Sequence, residues 1–205
     1  MPNASGAATD VVTSSCAAKL STIYRHDVSL SVWSRNAPSG VCTGWLEETT
    51  GTEWSVRERV DASLSRAETI VGHLPPGDAR AAFTDDLRLL VGMFADLTGA
   101  FELGLRLETV DRDVCSAWHV DRVALRLIST YSGPATEWLA HDDVWSKPGT
   151  PLVISPEATV QRLQPFDVGV FKGAAWDQPH QPVVHRSPRV PSGRRRLLIT
   201  IDPLE

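Results

Sequence analysis

The chain has 205 residues, 42% of them hydrophobic and 22% charged, which excludes a disordered, collagenous or coiled-coil chain and suits one globular domain. Twenty Lys+Arg against twenty-five Asp+Glu leave a net charge of −5, so the basic surface of a nucleic-acid binder is not expected. No apolar run reaches the roughly eighteen residues of a membrane helix. Residues 1–15 lack the basic start and apolar stretch of a signal peptide, and the three cysteines, Cys16, Cys42 and Cys115, are odd in number and far apart; a reducing cytoplasm is the expected location.

Residues 1–18 are small and polar and read as a flexible tail. Residues 19–205 read as a single domain, mainly helical over 19–100 and jelly-roll over 101–205. Val28 to Ser34 alternates, which predicts a strand with Val28, Leu30 and Val32 on one face. Val60, Leu64, Ala67, Ile70 and Val71 recur at helical spacing between Arg57 and Leu74, and Pro75-Pro76-Gly77 stops the run. Asp78 then starts a second helix to about Thr98, its apolar stripe including Phe83, Leu87, Leu90 and Phe94, and Gly99 closes it. From residue 101 the texture changes to short strands at 101–110, 120–131, 159–163, 168–172, 181–185 and 194–202, with turn signals between them. The expected fold class is α+β: a helical N-terminal half packed on a double-stranded β-helix, a cupin-like jelly roll.

Trp118-His119-Val120-Asp121 carries the first chemistry. Residues two apart on a strand share a face, so His119 and Asp121 would present an imidazole nitrogen and a carboxylate oxygen together. His185 follows on a later strand and can complete a set of two histidines and one carboxylate. Such a set leaves three positions open on a metal and suits non-haem Fe(II). Arg194, Arg195 and Arg196 then open the apolar strand Leu197 to Ile201. Three arginines in a row on a pleated strand cannot all face water, and one turned inward needs an anionic partner. A dicarboxylate would supply it through two charge-assisted hydrogen bonds; ion pairs with acidic residues of neighbouring strands would serve as well. His141-Asp142-Asp143 reads as solvated charge. Trp118, Trp138, Trp145 and Trp176 read as core more readily than as pocket walls.

Residues 119–202 resemble the 2-oxoglutarate/Fe(II) dioxygenase superfamily, above all its prolyl-hydroxylase-like branch. The resemblance rests on His119-x-Asp121, the strand ending in Tyr131-Ser132-Gly133, the Gly169-Val170-Phe171 strand, His185, Gly193, and Arg195 ten residues after His185. It implies that His119, Asp121 and His185 hold Fe(II), and that Arg195, helped by Tyr131, anchors the distal carboxylate of 2-oxoglutarate. Arg196 is the reserve for Arg195, because a one-residue shift of register exchanges the two faces. The turn Gly133-Pro134-Ala135-Thr136-Glu137 departs from the branch. Over most of its length, from about Ile23 to Pro203, the chain is also similar to the bacterial domain-of-unknown-function family 1826. Leu30 to Trp33, Cys115-x-x-x-His119-x-Asp121, Thr130 to Pro134, Glu137-Trp138-Leu139, His185 to Pro188 and Arg195 to Leu198 carry that likeness. The usual Cys-Pro of that family is here Cys115-Ser116.

The expected function is a 2-oxoglutarate-dependent Fe(II) oxygenase acting on a C–H bond of a small-molecule or peptide substrate. Nothing in the sequence argues for a nucleic-acid or membrane partner. Two alternatives stay open. One is a zinc protein or zinc enzyme on the same fold, with Cys115, His119 and His185 as ligands. The other is a cupin-like Fe dioxygenase that does not use 2-oxoglutarate.

Overall fold

The computed structural model describes residues 11–111, 116–145, 151–177 and 182–204. The strands in chain order are β1 (Val11–Ser14), β2 (Leu30–Trp33), β3 (Ser55–Asp61), β4 (Glu102–Val110), β5 (Leu125–Ser132), β6 (Glu137–Trp138), β7 (Val144–Trp145), β8 (Val153–Ile154), β9 (Gln161–Arg162), β10 (Val168–Lys172), β11 (His185–Arg186) and β12 (Arg196–Pro203). The α-helices are α1 (Thr43–Thr49), α2 (Ala67–Val71) and α3 (Asp78–Thr98).

Seven strands form one mixed sheet in the order β1-β2-β10-β5-β12-β4-β3, in which β1 runs parallel to β2 and the other neighbours are antiparallel. A small sheet, β11-β6-β9, accompanies it, and β7 pairs with β8. The architecture is thus α+β around a large mixed sheet.

The alternation of β12 assigns its two faces. Leu197, Ile199 and Ile201 point into the main core, together with Leu103, Leu105 and Leu107 of β4 and Leu125, Leu127 and Tyr131 of β5. The α3 stripe, Phe83, Leu87, Leu90, Val91 and Phe94, fills the same core with no exposed surface. Burying each such side chain contributes about 1.5–3 kcal/mol. Residues of opposite parity face the small sheet. Ile128 and Phe171 pack there with Leu30, Val32, Ala135, Leu163 and Val183, and Arg126, Thr130, Arg196 and Thr200 share that face by alternation.

Three expectations differ from the structure. The N-terminal part is not mainly helical, because β1, β2 and β3 lie in it. Residues 11–14, placed in the tail, form β1 beside β2. The run from Arg57 to Leu74 divides into β3 and α2. Ser55 to Asp61 pairs with β4 over its whole length, and seven cross-strand pairings outweigh a helical spacing that begins only at Val60. α3 agrees with its expected limits. Gly99 caps it at φ 71°, donating its N–H to the Ala95 carbonyl, while Asp78 is the first helical residue and makes no side-chain cap.

Candidate metal centre

Backbone pairing sets the geometry of the site. His119 and His185 form an isolated antiparallel bridge, each N–H donating to the other's carbonyl at 3.0 Å. β11 also pairs with β6, with His185 opposite Trp138. The segment after His119 is anchored where β10 ends: Gly173 N–H donates to Ala124 O at 2.9 Å and Ala174 N–H to Asp121 O at 2.8 Å. A Cβ on Gly173 would lie 2.1 Å from Val123 O and 2.8 Å from Asp121 O. Only glycine lets the two backbones approach this closely.

His119, Asp121 and His185 each offer one ligand atom, and these atoms lie within 4.8 Å of one another. His185 Nε2 is 3.3 Å from Asp121 Oδ2. Adjacent ligands on a metal with bonds of about 2.1 Å stand about 3 Å apart, so this pair is close to ligand spacing. His119 Nδ1 faces Ala117 O at 2.9 Å and His185 Nδ1 faces Val183 O at 3.2 Å. A carbonyl can only accept, so each Nδ1 is the donating nitrogen and each Nε2 is the one left to face a metal.

Asp121 is 6% exposed. Its Oδ1 accepts from Arg126 Nη1, whose guanidinium also grips both oxygens of Asp202 at 2.7 Å. Its Oδ2 is buried and has no hydrogen-bond partner among the described residues. Burial alone would raise the carboxyl, but nearby His185, Arg126 and His119 outweigh it and hold Asp121 below the usual carboxylate range. One oxygen is thus fixed by Arg126, and the other is bare, ionised and directed at two imidazoles. That is the condition of a carboxylate ligand. The residues fit a divalent cation in a site with three protein ligands and open positions.

The expected co-substrate residues divide. Arg196 is 0% exposed. Its Nη2 donates to Thr130 Oγ1 at 3.3 Å and Thr136 Oγ1 at 3.4 Å, while Nε and Nη1 have no partner among the described residues. Burial lowers its pKa to about 10, against the opposing pull of Glu108 and Glu137. It therefore remains a cation at neutral pH. Thr136 lines the cleft that contains His119 and His185, so this unpaired guanidinium lies behind the wall of the metal cleft.

Arg195 has the other parity. It donates to Thr50 O and Gly51 O at the end of α1 and to Asp111 Oδ2, away from the cleft. Tyr131 also faces the other way. Its hydroxyl donates to Asp86 Oδ2, which Arg35 binds through two nitrogens, and its ring meets Phe83 and Phe166 edge-on. The pairing of β12 with β5 jumps from Leu197↔Ser132 to Leu198↔Thr130, which leaves Tyr131 as the bulged residue. Thr130 takes the place beside Arg196 that was expected of Tyr131. Cys115 lies outside the described residues.

Sequence reasoning missed Arg126, Thr130, Thr136 and Gly173. Alternation offered a signal for Thr130. In Arg126-Leu127-Ile128-Ser129-Thr130-Tyr131, Thr130 shares parity with Arg126, the partner of Asp121. Arg196 likewise shares parity with Thr200 and Asp202, not with the apolar Leu197, Ile199 and Ile201.

Comparison with known proteins gives the family and likenesses of fold. The family model described as a protein of unknown function (DUF1826) matches residues 14–202, and the chain belongs to that family. No curated protein sequence matches it. In fold it is similar to the dioxygenase for auxin oxidation 1 from Arabidopsis thaliana, solved as a complex with 2-oxoglutarate. That match has 11% identity and a TM-score of 0.51, covering 95% of this chain and 91% of the other. A prolyl-4-hydroxylase from Pseudomonas putida matches at 11% identity and a TM-score of 0.46, over 91% of this chain and 97% of the other. At these identities the likeness is one of fold.

Proposed function

We propose that this member of the family is an Fe(II)- and 2-oxoglutarate-dependent oxygenase built on a jelly roll, oxidising a C–H bond of a small-molecule or peptide substrate. The observation that carries the reading is Arg196: a fully buried guanidinium, two of whose nitrogens have no partner among the described residues, behind a cleft lined by His119 and His185, to which Asp121 is the third candidate ligand. Two hydroxyl acceptors and the more distant Glu108 and Glu137 offset only part of the cost of burying this cation. A dicarboxylate reaching from the metal to Arg196 would remove that cost and satisfy both nitrogens.

His119, Asp121 and His185 would hold the iron, and the cleft beside them would take 2-oxoglutarate. Bound there, iron and 2-oxoglutarate supply the oxidising power: dioxygen and 2-oxoglutarate are consumed, succinate and CO₂ are released, and one oxygen atom goes to the substrate. The chain's own part is positional. Ala117 O and Val183 O fix the imidazole tautomers, and Arg126 fixes the rotamer of Asp121. Thr130 and Thr136 orient Arg196. Phe171, whose ring lies 5.1 Å from that of His185, helps to keep water from the inner side.

Anaerobic binding followed by turnover in air tests the reading. Wild-type protein with Fe(II) should convert 2-oxoglutarate slowly to succinate even without substrate. Arg196→Gln should weaken 2-oxoglutarate binding by about tenfold or more, and Arg195→Gln should leave it unchanged. Equal losses from both variants would send the anchor back to Arg195. No succinate from iron-loaded wild type would remove the 2-oxoglutarate reading.

A further inference from the structure

Arg106 at the cleft and Arg57 beside it form a second set of charges, on β4 and β3, on the same sheet face. Arg106 of β4 lines the cleft together with His119 and His185. Its cross-strand partner on β12 is Thr200, and its cross-strand partner on β3 is Arg57. Residues directly opposed on antiparallel strands project from the same face with Cβ atoms about 5 Å apart. Two guanidinium-bearing side chains therefore stand side by side where β3 borders β4, next to the cleft. Like charges so placed destabilise a sheet unless an anion lies between them.

The other arginines of this region are neutralised. Arg126 is held by Asp121 and Asp202, Arg186 and Arg162 by Glu137, and Arg59 by Glu102. Among the described residues, neither the Arg57 nor the Arg106 side chain has a hydrogen bond or an ion pair. Glu108, two residues along β4 and on the same face, lines the cleft with Arg106 but makes no ion pair with it among the described residues. It lies 3.5 Å from Ser55 Oγ, and its charge acts on Arg196.

We infer that Arg57 and Arg106 form the specificity site for substrate, and that the substrate carries an oxyanion, a carboxylate or a phosphate, set back from the carbon that is oxidised. Resting on the oxygenase reading, the inference deepens it: Arg196 takes the anion of the co-substrate inside, and the Arg57–Arg106 pair takes that of the substrate at the rim. A guanidinium pair binds either oxyanion through parallel charge-assisted hydrogen bonds. It has no such interaction with a neutral amide.

The test is calorimetric titration of the full chain, wild type and Arg57→Gln/Arg106→Gln, with inorganic phosphate, benzoate and the neutral benzamide, and separately with 2-oxoglutarate in the presence of Fe(II) under argon. Expected is binding of phosphate or benzoate to wild type, about tenfold weaker binding to the double variant, and no binding of benzamide. The tighter of the two anions identifies the group the site is built for. The melting temperature of the double variant should equal or exceed that of wild type, because a like-charge contact is removed. Unchanged phosphate and benzoate binding in the double variant, no binding of either anion to wild type, or a melting temperature lowered by the double substitution would each overturn the assignment. The 2-oxoglutarate titration separates the two readings. If 2-oxoglutarate fails to bind wild type while the anion loss is seen, the oxygenase reading falls and the anion site stands. If 2-oxoglutarate binds both proteins alike while the anions ignore the substitution, the reverse holds.

Discussion

Asp121 and Arg196 are complementary: among the described residues, one buried Asp121 oxygen accepts no hydrogen bond, and Nε and Nη1 of the buried Arg196 donate none. The first suits a cation and the second an anion. Asp121→Asn keeps the shape but replaces the anionic ligand, so metal affinity should fall by at least about tenfold as read by equilibrium dialysis. Tyr131→Phe gives a contrasting result. Its hydroxyl serves the Asp86–Arg35 pair on the far side of the sheet, so the variant should lose about 1–3 kcal/mol of stability in a urea titration with metal and 2-oxoglutarate binding intact. A selective loss of 2-oxoglutarate binding in Tyr131→Phe would move the tyrosine back into the site.

At the scale of elements, strands that carry alternation were legible in the sequence and their partners were not. β10 and β4 agree closely with expectation, and α3 agrees at both ends, because Gly99 and the Pro-Pro-Gly stop are local signals. β3 was read as helix because its residues alternate only weakly between polar and apolar; pairing with β4, which no local window contains, decides it. His-x-Asp and His185 were legible as residue types. That a two-residue bridge brings them together was not, and neither was the Gly173 contact, which joins segments about fifty residues apart. Parity along β12 could have placed Arg196 and Arg195 on opposite faces from sequence alone.

Gly173→Ala tests the anchoring of the Asp121 segment. A Cβ 2.1 Å from Val123 O cannot be accommodated without moving that segment, so the variant should lose metal binding and also melt at a lower temperature. The small sheet depends on Glu137 of β6, which is gripped by Arg162 of β9 and Arg186 of β11. Burial would raise its pKa, but the two guanidinium groups more than offset this and hold it below the usual carboxylate range. A depressed folded pKa stabilises the fold above the unfolded value of about 4.3. That contribution disappears as pH falls through the lower, folded value. Glu137→Gln should therefore flatten the acid limb of the stability curve, measured as melting temperature against pH. An acid limb as steep as that of wild type would contradict this assignment.

The whole molecule joins an apolar layer, with α3 against one face of the seven-stranded sheet, to a polar cleft on the other. The same strands serve both, since alternate residues of β5 and β12 enter the core and the cleft in turn. No helix among the described residues is long and apolar enough to cross a membrane. Because the metal would bind the folded chain and join His119, Asp121 and His185 from separate segments, occupancy should raise the melting temperature by mass action. Asp121→Asn should not show that rise. The most direct measurement is an anaerobic Fe(II) titration of metal-free protein, with and without 2-oxoglutarate, followed by visible absorption and repeated with Arg196→Gln and Cys115→Ser. A weak charge-transfer band that needs both iron and 2-oxoglutarate, survives Cys115→Ser and requires far more 2-oxoglutarate in Arg196→Gln is the predicted result. No band, with tight zinc binding that Cys115→Ser abolishes, would contradict it and make this a zinc centre.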